Sequence, residues 1–244
     1  MGLADRDYMR NYSLGEKGNS LTKLLIINLT FYITLALCRT YYYFIYEDTS
    51  QIGIVFKEDI LSWFTLSNSP MGLLKRPWTF ITMLFAEYNF WNTLGNMLWF
   101  WSFGYIFQDL TGNKKLIPLF VYGGWGAGII FWIAAALLNQ PIDYFFSGTS
   151  AAVTAVVIGT TCLAPKYKIY SIIPTGFPIW ILTILFIVTS FATTSWHAMV
   201  NYIPVLTGSA IGFSYVYLLK KGIDTGKWMS NLLDKMGNLF NPGK

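Results

Sequence analysis

The sequence predicts an all-α integral membrane protein, a six-transmembrane-helix bundle with a long outer loop between spans 1 and 2. Three observations predict it. The chain has 244 residues, of which 54% are hydrophobic and only 12% charged, about half the charge of an ordinary soluble domain. The apolar residues are gathered into long runs, and at ~20 residues per crossing the length accommodates about six helices. The basic residues are sorted to one side of those runs. This composition excludes a soluble globular enzyme and a disordered chain.

The runs read as helices because, in lipid, each backbone donor must be satisfied within its own segment. Barrel strands of ~10 alternating residues are not seen. The expected spans cover about residues 24–45, 90–110, 115–138, 146–163, 178–191 and 202–219. Thirteen of the 17 Lys and Arg residues fall in the N-terminal segment, the loops after spans 2 and 4, and the tail. The opposite side holds Lys57, Lys75 and Arg76, with Arg39 near the end of span 1. The positive-inside rule then makes both termini cytoplasmic. The net charge of +5 reads as topology and attraction to anionic lipid, not as a nucleic-acid surface. The first twenty residues are polar, so no cleavable signal peptide is expected.

The domain organisation that follows is a cytoplasmic segment 1–23, a six-helix membrane domain 24–220 and a cytoplasmic amphipathic tail 221–244. The tail carries Trp228, Leu232, Leu233, Met236 and Leu239 at near-helical spacing. Residues 46–89 mix apolar and charged groups and read as an interfacial element lying in the head groups. The expected home is a bacterial plasma (inner) membrane. Cys38 and Cys162 lie at different depths, which argues against a disulfide. The chain has one histidine and no metal-ligand spacing, so neither metal nor cofactor is expected.

Few ionisable groups lie within the spans, which argues against an ion-coupled transporter. The informative polar residues are Asn92 and Asn96 in span 2, Ser150 in span 4, and His197 and Asn201 at the start of span 6. All five fall at similar depth in the outer half. Span 4 carries Ala152, Ala155 and Gly159 on one face, and span 6 carries Gly208 and Gly212; such small faces let membrane helices approach closely. Each polar residue also has a plainer reading. Ser150 can bond back to a helix carbonyl, His197 can be an interfacial loop residue, and Asn96 can tie two helices together. Gly123, Gly124, Gly126 and Gly128 read as close-packing positions, not as a phosphate loop.

Taken in order, several segments resemble the rhomboid intramembrane proteases. They are Arg76-Pro-Trp-Thr-Phe-Ile-Thr, Phe90-Trp-Asn-Thr-Leu-Gly-Asn-Met-Leu-Trp-Phe-Trp, the Tyr-Gly-Gly within 116–128, Gly148-Thr-Ser-Ala-Ala-Val-Thr-Ala, and Leu206-Thr-Gly-Ser-Ala-Ile-Gly-Phe. The resemblance covers about residues 60–220 and implies a rhomboid-like bundle with a Ser/His dyad. It implies Ser150 as nucleophile and Asn96 as oxyanion donor, acting on transmembrane helices of other membrane proteins.

Other family positions differ. The second oxyanion donor, a histidine in the family, is Asn92. Another family histidine aligns with Glu87, and the outer-loop Trp-Arg pair aligns with Trp78 and Thr79. Anchoring on Gly208 and Gly212 places the catalytic histidine at Asn201, whereas the chain's histidine is His197. One helical turn, ~5–6 Å, separates the two. On a continuous helix His197 stands above Ser150; if span 6 starts near Tyr202, His197 can fold down to it. Two readings follow: a protease using Ser150 and His197, or an inactive pseudoprotease that binds or assembles transmembrane helices.

Overall fold

The computed structural model describes residues 19–46, 49–67, 70–137, 145–169, 176–193 and 202–240. Apolar helices occur at all six expected positions: α1 (Ser20–Ile45), α5 (Phe90–Thr111), α6 (Leu116–Leu137), α7 (Thr149–Leu163), α8 (Ile179–Thr193) and α9 (Ile203–Lys220). Three stretches among the described residues, Ser20–Ile45, Asn113–Ala135 and Ile203–Lys220, are long and apolar enough to cross a membrane. Helix α5 has the length, at 22 residues, but Asn92, Asn96, Gln108 and Asp109 lower its apolarity. Helix α7 and the described part of α8 have 15 residues each, about 22 Å at 1.5 Å per residue, less than the ~30 Å hydrocarbon core.

The position of α7 allows it to be short. It packs against α5, α6 and α9, and Ala151 to Val157 are all buried. A helix walled by other helices meets little lipid, so small residues replace the long apolar ones. Gly123 of α6 faces the Ala155 side chain and the Ala151 carbonyl, while Gly212 of α9 faces the Ala155 carbonyl. The small-residue seam is therefore present, with one difference in its face. Ala151, Ala155 and Gly159 meet α9, whereas Ala152 turns toward Gly124 of α6.

At the end remote from Ser150, Asn113 joins three helices. Its side-chain oxygen accepts from Ser20 N at 2.6 Å and from Gln108 Nε2. The tail forms α10 (Lys227–Phe240), which docks at this end. Ser230 Oγ donates to the Lys114 carbonyl at 3.1 Å, and Trp228 Nε1 donates to the Tyr122 hydroxyl.

Segment 46–89 is more ordered than a loop. It contains α2 (Thr49–Asp59), a 3-10 turn (Leu61–Trp63), β1 (Leu66–Ser67), α3 (Pro70–Lys75) and α4 (Thr79–Thr82). Phe56 and Leu61 are buried against Leu35 of α1. Ile54, Trp63, Met71, Leu74, Trp78 and Ile81 are exposed. Strand β1 pairs antiparallel with β2 (Phe145–Phe146), Leu66 opposite Phe146. A second small pair joins β3 (Lys168–Ile169) to β4 (Phe177–Pro178). These two-residue strands carry no alternation readable from sequence.

Candidate active site

Ser150 stands in the first turn of α7, and several backbone ties fix that turn. Gly148, the N-cap residue, offers no side-chain cap. Its own N–H donates to the Met83 carbonyl at 2.9 Å, and Thr149 Oγ1 donates to the Leu84 carbonyl at 3.0 Å. Residues 83–84, at the end of the 46–89 segment, are thus clamped to the start of α7. They fit there because α6 is notched. A methyl group at Gly128 would meet Met83 Cε at 2.6 Å, and one at Gly124 would collide with Leu84. Strand β2, two residues upstream of Gly148, is held by β1 of the same segment.

Asn96 reaches this turn from α5. Asn89 caps α5, its side chain accepting from the N–H groups of Trp91 and Asn92, and starts the helix in the register that turns Asn96 toward α7. Asn96 Nδ2 donates to Ser150 Oγ at 3.2 Å. Both side chains are half-buried. Thr154 Oγ1 donates to the Ser150 carbonyl at 2.7 Å, so one turn of α7 carries a hydroxyl at each end.

The first-turn N–H groups of an α-helix have no intrahelical partner and carry the positive end of the helix dipole. Ser150 lies among them. An oxygen bearing negative charge beside Ser150 Oγ would meet these N–H groups and the Asn96 amide together.

Of the five expected polar residues, the structure joins two. Asn92 lies one turn before Asn96, exposed, and its side chain makes no hydrogen bond among the described residues. His197 and Asn201 lie outside the described residues. The chain they occupy leads into Tyr202 and Ile203, and Ile203 is buried in one cluster with Ala151, Met83 and Phe146. The N-terminal end of α9 therefore stands at the Ser150 end of the bundle. No group of three or more His, Cys, Asp or Glu suited to a metal occurs among the described residues.

The burial of Glu87 is a feature that spacing did not reveal. The residue is 8% exposed, and its Oε1 accepts from the N–H groups of Tyr88 and Asn89 at 3.2 and 3.3 Å. Burial pushes its carboxyl up to about 7, against the pull of those two N–H groups. Glu87 thus serves the chain leading into α5 and makes no hydrogen bond to Ser150. The acidic residue just ahead of the Asn89 cap was the available signal.

No curated protein matches the sequence. The Rhomboid domain family model matches residues 74–222, more than half of the 244 residues. The match begins before Arg76 and ends past α9, so it takes in the 83–84 clamp, the Asn96–Ser150 pair and the glycine seam. On that match this chain belongs to the rhomboid family.

Proposed function

We propose that this protein is an intramembrane serine protease that cleaves transmembrane substrates with Ser150 and His197. The observation that carries the reading is the Asn96 amide donating to Ser150 Oγ at the uncapped start of α7. In this reading His197 takes the Ser150 proton as Oγ attacks the scissile carbonyl. Asn96 and the first-turn N–H groups hold the oxyanion. The proton then passes to the leaving amine, and water hydrolyses the acyl-enzyme. Helix α9 begins at Ile203 with Pro204 in its first turn, and His197 lies upstream of it, outside the described residues.

The same reading takes all six apolar helices as spans, 24–220 as the membrane domain and both termini as cytoplasmic, in the bacterial inner membrane. The lysine distribution supports it. Substrate helices would approach past α8, which rests on the bundle through the Thr161–Thr183 hydroxyl pair and the edge-on contact of Phe186 with Trp99.

The test is fluorophosphonate labelling in membranes of wild type, Ser150→Ala and His197→Ala. Labelling of wild type that both substitutions abolish is the expected result. A folded wild type that stays unlabelled beside a labelled active rhomboid favours a second reading, a pseudoprotease that binds transmembrane helices. That reading draws on Glu87, whose side chain is held by the N–H groups of Tyr88 and Asn89, and on Asn92, whose side chain has no partner among the described residues. It expects partners that survive detergent extraction from Ser150→Ala as well as from wild type.

A further inference from the structure

Away from Ser150, the 46–89 segment forms an open cavity of about 500 Å3 lined by Glu58, Ser62, Thr65, Lys75, Arg76 and Thr79, among others. Its wall is built around Arg76. Arg76 Nη1 donates to the Ser62 carbonyl at 3.0 Å and to Ser62 Oγ at 2.7 Å. The guanidinium lies 4.2 Å from the Trp63 ring centre, and Trp63 stacks on Trp78. Trp78 Nε1 in turn donates to the Trp63 carbonyl at 2.9 Å. The turn 61–63 and the chain 76–78 are thus locked together, and the guanidinium is held at the cavity.

Two further charges line the same cavity. The side chains of Lys75 and Glu58 have no hydrogen-bond or ion-pair partner among the described residues, and they do not pair with each other; the Glu58 carbonyl accepts from Ser62 Oγ at 2.6 Å. Neighbouring charges are engaged: Asp59 accepts from the Tyr42 hydroxyl, and Lys57 lies over the Tyr88 ring. A cavity with a fixed cationic wall and a separate carboxylate, unpaired among the described residues, is complementary to a ligand that carries phosphate and ammonium together. Leu74 and Met71 on α3, and Trp78 just before α4, are exposed, which offers apolar surface for chains attached to that ligand.

We propose that this cavity binds the headgroup of a zwitterionic phospholipid whose amine bears hydrogens, a phosphatidylethanolamine. Arg76 and Lys75 take the phosphate through charge-assisted hydrogen bonds. Glu58 takes the ammonium, and the acyl chains lie along Leu74 and Met71. The site stands apart from Ser150 and does not depend on whether the protein is a protease.

The test is native mass spectrometry of the full chain in lipid-free detergent, titrated separately with four probes: phosphatidylethanolamine, phosphatidylcholine, diacylglycerol and inorganic phosphate. Wild type is compared with Lys75→Gln and Glu58→Gln. Both leave Arg76 and its contacts in place, and apparent Tm verifies their fold. One phosphatidylethanolamine is expected to bind, weakened roughly tenfold by either substitution. Phosphatidylcholine, whose trimethylammonium cannot donate to Glu58, is expected to bind several-fold more weakly, and diacylglycerol not at this site. Equal binding of phosphatidylethanolamine by wild type and both folded variants overturns the proposal. Lysine-dependent retention of inorganic phosphate alone, at an affinity matching the lipid, also overturns it by making this a free-anion site. Equal affinity for the two zwitterions overturns the role of Glu58.

Discussion

Gly208 of α9 lies against the backbone of Ala151 in α7: a methyl group on Gly208 would run into the Ala151 carbonyl oxygen and stand 2.9 Å from Thr154 Cβ. The contact is one residue from Ser150, so the distance between the two helices there also sets where the start of α9 stands relative to Ser150. A backbone oxygen cannot swing aside as a side-chain tip can. Gly208→Ala should therefore lower stability by about 1–3 kcal/mol, the usual cost of overpacking, and should reduce any Ser150-dependent labelling. Gly95, on α5, has nothing within 4 Å of an added Cβ, and Gly95→Ala should be neutral or up to about 1 kcal/mol stabilising through helix propensity. Apparent Tm in detergent checks the pair. A Gly208→Ala protein as stable as wild type would mean that α7 and α9 are not packed this closely.

Asn96 permits a separation of binding from chemistry. Its amide donates to Ser150 Oγ but is only half-buried, so Asn96→Ala removes a donor without opening a deep cavity. If the protein is a protease, kcat on a model membrane substrate should fall about 10²–10³-fold, the range for loss of one oxyanion donor, with apparent Tm little changed. Undiminished turnover by Asn96→Ala would leave this hydrogen bond as packing between α5 and α7.

The helix positions were legible because apolar runs bounded by polar residues leave few alternatives in lipid. The Asn96–Ser150 pairing was legible as equal depth, and Gly208 and Gly212 gave the seam. Which alanines faced α9 was not legible, since Ala151 and Ala152 are adjacent and differ only by one 100° step around α7. Nor was the shortness of α7 as a helix, which its burial by neighbours permits. Arg76, Ser62 and Trp63 come together only through the fold of 46–89, because nothing in local spacing links positions 62 and 76. Glu87 was visible as a departure from the family histidine, yet its burial depends on the packing around 86–89.

The tail helix α10 is held by two kinds of contact that predict different outcomes. Lys114 Nζ and Asp234 Oδ2 are 2.6 Å apart, with side chains 68% and 51% exposed. Exposed ion pairs of this kind contribute at most about 1 kcal/mol. Met229, in contrast, is buried, and truncating a buried methionine costs about 2–5 kcal/mol. Limited proteolysis should therefore release the tail readily from Met229→Ala and hardly faster than wild type from Asp234→Asn. The opposite order would place the docking energy in the ion pair.

Glu87 gives the protein a pH dependence whose sign follows from its burial. An ordinary glutamate carboxyl titrates near 4.5, and here burial raises it to about 7. The folded protein therefore keeps a proton that the unfolded chain releases between those values. Stability from this group is fully present below about pH 4.5 and is lost as pH rises through about 7. The total is on the order of 3 kcal/mol at 1.36 kcal/mol per unit. Glu87→Gln keeps an oxygen for the Tyr88 and Asn89 N–H groups and removes the titration. The variant should match wild type near pH 4.5 and exceed it in apparent Tm at pH 8. Taking the difference between the two proteins at each pH cancels every other titrating group, so a difference that stays flat from pH 4.5 to 8 would show that Glu87 ionises without cost and that the chain around it admits water.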